Sequence, residues 1–88
     1  MKLKYRFVTQ KVGNQVAAVP IDADPEQFNG LVKLNDTGAT VFAMLGADVT
    51  EEEILAKLAD EYDRPEEELR EDMRAFLAAL RESGLLEE

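Results

Sequence analysis

The sequence predicts an α+β fold, winged-helix-like, with three short N-terminal strands followed by three helices in 88 residues. Three observations carry this. Leu3, Tyr5 and Phe7 alternate with Lys2, Lys4 and Arg6, the period of a half-buried strand. Gly13-Asn14 stands between two apolar runs as a two-residue hairpin connection. Beyond residue 35, apolar residues recur at helical spacing behind capping signals. The length fits one domain spanning 1–88, near the small end of what buries its own core.

The elements follow in order. The inward parity shifts along the first run, which predicts a bulge before the hairpin. The second strand covers Val16-Ala-Ala-Val-Pro-Ile21, and Pro20, having no N–H, places its end at an edge. Residues 22–29 read as a polar connection anchored by Phe28; the Asp-x-Asp pair within it lacks the spacing and closing Glu of a calcium loop. Gly30 then opens the third strand, Leu31-Val32-Lys33-Leu34.

Asn35 or Asp36 can cap the first helix, which carries Val41, Phe42 and Leu45 on one face and stops at Gly46. Thr50 and Glu53 form a capping box for the second, whose apolar positions are Ile54, Leu55, Leu58 and Tyr62. Pro65 suits the first position of the third helix, with Asp63 left to cap it. That helix has a core stripe of Leu69, Met73, Phe76, Leu77 and Leu80 and ends at Gly84, after which Leu85 should fold back on Leu80.

Composition removes several chemistries. With no His and no Cys there is no zinc ligand set, thiol nucleophile, disulfide or imidazole base, so no catalytic residue, metal or cofactor is expected. A net charge of −9 disfavours nucleic acid. The N-terminus lacks the apolar run of a signal peptide and no stretch approaches a membrane span, so a soluble, cytoplasmic chain is expected. The charge is uneven: residues 1–47 sum to +1 and residues 48–88 to −10.

Within the acidic half, three arginines line one edge of the third helix. At ~100° per residue, with Arg70 at zero, Arg81 falls near ~20°, Arg74 near ~40° and Leu77 near ~−20°, while the core stripe centres near ~−80°. Ordinary helix ion pairs account for Arg70 through Glu66 and Glu67, and for Arg74 through Glu71; Arg81 has no acidic residue three or four positions away. Strand 31–34, if it is an edge packed beside this helix, frames a groove with it. Unpaired backbone groups would form one wall, Met73 and Leu77 the floor, and the arginines a rim. Such a groove can take a guest peptide as an added strand, with a basic rim favouring an acidic one.

The run Gly30-Leu-Val-Lys-Leu-Asn35, then Thr37-Gly38-Ala39, Phe42 and Leu45, carries a resemblance. So do the Thr-initiated acidic helix, Glu61-Tyr62-Asp63, the Pro-Glu-Glu start at 65–67 and the closing Gly84-Leu85-Leu86. Together they resemble the PqqD-like family, named for pyrroloquinoline quinone biosynthesis protein D and also called the RiPP recognition element. The resemblance implies a non-catalytic adaptor that binds the leader segment of a ribosomally made precursor peptide. It implies that the leader adds as a strand between strand 31–34 and helix 65–83, and is presented to a modifying enzyme, often a radical S-adenosylmethionine enzyme. Carried over by position, the strand wall is Leu31, Val32, Lys33 and Leu34, and the helix wall is Arg70, Met73, Arg74, Leu77 and Arg81.

Three other readings compete. An enzyme could do acid–base work with carboxylates alone, but no spacing argument places a pair of them in an apolar cleft. A winged-helix DNA reader would need a basic recognition helix, but residues 65–83 carry three Arg against six acidic residues. A dimerisation module is compatible with an exposed edge strand, so a homodimer stays open.

Overall fold

The computed structural model describes residues 1–22 and 30–88. The Phe28 anchor and nearly all of the polar connection expected at 22–29 lie outside the described residues. The elements are β1 (Lys2–Leu3), β2 (Phe7–Val12), β3 (Gln15–Pro20), β4 (Val32–Leu34), α1 (Asp36–Met44), α2 (Glu51–Glu61), α3 (Glu66–Glu82) and β5 (Leu86–Glu87). A three-stranded antiparallel sheet thus precedes three helices, an α+β fold as the sequence predicts, and β1 with β5 adds a small ribbon.

The sheet order is β2-β3-β4, which puts β3 in the middle and β4 at an edge. β2 and β3 pair without interruption from Phe7↔Pro20 to Val12↔Gln15, so the expected bulge does not form. The parity problem is solved by breaking the first run instead. The chain bends at Lys4 and Tyr5, and β1 leaves to pair with β5 as Lys2↔Glu87 and Leu3↔Leu86. The C-terminal tail supplies the hydrogen-bond partners: the Lys4 amide donates to the Leu85 carbonyl at 2.8 Å. In the hairpin turn only Gly13 has positive φ, at 62°, and Asn14 does not, so the glycine alone meets the demand of the tight turn. β4 pairs only with 16–18 of β3, so Pro20 lies past its end, where a missing donor costs nothing.

The helix starts resolve the sequence alternatives. Asn35, rather than Asp36, caps α1, its Oδ1 accepting the Gly38 amide at 2.7 Å. The Thr50–Glu53 capping box is present in both directions, at 3.2 and 3.1 Å. α3 departs from expectation: Pro65 sits at the cap position itself and no side chain caps the helix. Asp63 therefore does not serve, and the first turn relies on the charges of Glu66, Glu67 and Glu68. At the other end, Gly84 adopts φ of 73°, its amide donates to the Arg81 carbonyl and the Leu85 amide reaches back to the Leu80 carbonyl at 2.9 Å. That left-handed turn closes the helix and drops Leu85 into the core. Gly46 does not act this way, since α1 ends at Met44 and Gly46 lacks positive φ.

The core joins one residue of β3, Ala18, and one of β4, Leu34, to the inner faces of all three helices and to Leu85. Phe42 links sheet and helices through edge-on contacts, with Phe7 at 5.0 Å and Phe76 at 6.4 Å between ring centres.

Candidate functional site

β4 exposes an open side. It pairs with β3 through Val16↔Leu34, Ala17↔Lys33 and Ala18↔Val32, and among the described residues no strand pairs with its other edge. An edge strand presents unpaired backbone donors and acceptors, here three residues long. Leu31 falls just before the assigned strand and is 52% exposed; Val32 is half-buried, Lys33 exposed and Leu34 buried.

Beside the end of β4 lies a cavity of about 810 Å³, bounded by β4, the first turns of α1 and one side of α3. Its floor is apolar, from Leu34, Val41, Met73 and Phe76, and its rim carries Lys33, Asp36 and Asp72. The Thr37-Gly38 start of α1 shapes one wall. Thr37 is buried and its hydroxyl donates to Asn35 Oδ1 at 3.3 Å. Gly38 is buried because α1 runs close to α3: a β-carbon there would lie 3.5 Å from the Phe76 ring. Arg64 holds the rim residue Asp72 at 2.8 Å and lies 3.9 Å from Glu68. The hydrogen bond to Asp72, assisted by the nearby charges of Asp72, Glu68 and Asp36, moves the Arg64 guanidinium above its ordinary range.

The three arginines of α3 stand elsewhere. Arg70 pairs with Glu66 at 3.3 Å, as helix spacing allows. Arg74 reaches across to Glu51 of α2 at 3.4 Å rather than to Glu71. Arg81 finds Glu88 at 2.8 Å, beyond the helix. Arg70 and Arg74 line a second hollow with Glu51, Glu52 and Leu55, on the α2 side of α3, and none of the three lines the cavity at β4. Met73 belongs to both hollows, whereas Leu77 is fully buried and lines neither. Of the sequence-expected residues, Lys33, Leu34 and Met73 therefore meet in one cavity.

Sequence reasoning passed over Asp72 and treated Phe76 as core alone. The same helical projection held the signal: Phe76 lies near ~−120° and Asp72 near ~−160°, on the shoulder opposite the arginines. Among the described residues no cluster of three or more carboxylates is arranged to hold a metal ion, and no helix is long and apolar enough to cross a membrane.

These features define the class: a small α+β protein whose edge strand borders an apolar groove against its last helix. The chain matches the family of coenzyme PQQ synthesis protein D (PqqD) over residues 21–86, and it belongs to that family. No curated protein matches it. Among solved structures it is similar to TbiB1 in complex with the TbiA(beta) leader peptide, with a TM-score of 0.73 and 24% identity over 99% of this chain and 95% of that one. At that identity the likeness is one of fold.

Proposed function

We propose that this protein is a non-catalytic adaptor that binds the leader segment of a ribosomally made precursor peptide. The leader adds as a strand to the free edge of β4, in the groove toward α3, and is presented to a modifying enzyme, for which the family resemblance suggests a radical S-adenosylmethionine enzyme. The carrying observation is an edge strand with an open side that borders an apolar cavity floored by Met73 and Phe76. Backbone hydrogen bonds to β4 would supply affinity and the cavity would take alternate guest side chains. Family membership supports this reading, and so does the fold shared with TbiB1, which was solved with a leader peptide.

The site residues proposed are Leu31, Val32, Lys33 and Leu34 on the strand and Met73 on the helix, joined by Asp72 and Phe76. Arg70, Arg74, Leu77 and Arg81 act at most through the packing of α3. Titrating the isotope-labelled chain with the leader of a precursor encoded beside its gene tests the reading. Amide shifts are expected in 31–38 and 72–76; saturable binding that leaves those segments unmoved would overturn it.

A further inference from the structure

A strand added to β4 would present two faces to two different chemistries, and the register says which. Val32 and Leu34 turn toward the helices, half-buried and buried, while Lys33 between them is exposed on the outer face of the sheet. Any strand in register with β4 continues this alternation, because successive side chains of a pleated strand point to opposite faces. Its inward residues would sit over Met73 and Phe76, and its outward residues beside Lys33.

The charges differ between those faces. At the inner rim stand Asp36 and Asp72, with Glu68 close behind, and Arg64 is the cation that these three carboxylates share. Lys33 also lines the cavity, so two cations stand against three carboxylates there, and negative charge stays in excess above an apolar floor. An acidic guest side chain would lose water and meet like charge, so it would be rejected. On the outer face the strands carry no acid: Lys33 stands in register with Ala17 and Gln10, and none of β2, β3 and β4 contains Asp or Glu. A guest carboxylate directly opposite Lys33 gains a cross-strand pair.

We infer that the groove selects its guest by two opposite rules: uncharged or basic apolar-stemmed side chains on the helix-facing positions, and an acidic side chain on the outward position opposite Lys33. This rests on strand addition at β4 and specifies the chemistry of the guest. It also reverses the preference that an arginine rim would have imposed on the inward face, since those arginines are held on the far side of α3.

The test uses the full chain, immobilised, against a displayed library of random ten-residue peptides. Enriched peptides should alternate, with apolar residues at every second position, Asp and Glu absent from those positions, and an acid concentrated at one intervening position. Lys33→Glu should shift that one position toward Lys and Arg, with a preference change of roughly two- to fivefold, the size of a cross-strand charge pair. Asp72→Asn should relax the exclusion of acids from the inward positions and leave the outward one unchanged. Thermal melts of both variants confirm that these exposed or half-exposed changes leave the fold intact. Acids enriched on the apolar parity, or an unaltered preference in Lys33→Glu, would overturn the two rules while leaving strand addition standing. Failure to enrich any peptide would contradict strand addition itself, and with it the inference.

Discussion

Gly38 on α1 and Phe76 on α3 meet so closely that a β-carbon on the glycine would stand 3.5 Å from the ring and 2.7 Å from Asn35 Oδ1. The first contact is ordinary packing; the second is too short for any real β-carbon. Asn35 would have to leave the cap, giving up the bond from the Gly38 amide. One small residue thus sets the start of α1 and, through Phe76, a wall of the groove.

Gly38→Ala is expected to destabilise. Alanine gains roughly 1 kcal/mol in helix propensity over glycine, but displacing the Asn35 cap costs about 0.5–2 kcal/mol. A net loss of up to about 1 kcal/mol lowers the melting temperature by up to about 4–8 °C in a domain of this size. Calorimetry of the variant decides the sign, and an unchanged or higher melting point would show that the cap moves freely.

Phe76→Ala and the arginine substitutions should separate cleanly in peptide binding. Phe76 floors the groove, so its loss should weaken leader binding about tenfold or more, as for a buried aromatic anchor. Arg70→Ala, Arg74→Ala and Arg81→Ala should each stay within about twofold, because exposed ion pairs contribute little and none of the three lines the cavity at β4. Anisotropy titrations with a labelled leader peptide measure both. Phe76→Leu, which keeps the apolar volume, controls for loss of fold.

Gly84→Ala should cost stability without touching the groove. The residue holds φ at 73°, where an L side chain is strained by roughly 1–2 kcal/mol. The same turn places Leu85 in the core and aligns β5 with β1. A lower urea midpoint with unchanged peptide affinity is the expected pair of results.

Acid should break the ion pair between Arg81 and Glu88. The hydrogen bond from Arg81, reinforced by its charge, holds the Glu88 carboxyl below its usual value. A lowered folded pKa means that the pair's contribution is present above the ordinary glutamate range and disappears as pH falls through the lowered value. The loss should be small, since Glu88 is solvent-exposed. Following the Glu88 carboxyl carbon by NMR against pH, in the wild type and in Arg81→Gln, tests it: the variant should titrate at the higher, ordinary position.

Much of the architecture was legible because it rests on local signals. The hairpin at Gly13-Asn14, the Thr50–Glu53 box and the Gly84 stop each need only neighbouring residues to form. What local signals could not reveal was the fate of Lys2 and Leu3. Their partners, Glu87 and Leu86, stand at the opposite end of the chain, and no periodicity reports a pairing over that distance. The side-chain alternation of 2–7 was readable, but the bend at Lys4 and Tyr5 was not.

The groove divides in the same way. The sequence by itself determined that a short strand would end at Leu34, that α3 would bury a stripe through Leu69, Met73, Leu77 and Leu80, and that arginines would flank one shoulder of that stripe. A helical stripe has two shoulders of equal standing, and its own residues do not say what packs on either. The tertiary structure decided this: α2 takes the arginine shoulder, with Glu51 meeting Arg74, and β4 with α1 takes the shoulder of Phe76 and Asp72. The reason is that α3 packs against both α1 and α2 with a single apolar face. Which edge then borders β4 depends on contacts among three helices and a sheet, which no one segment encodes.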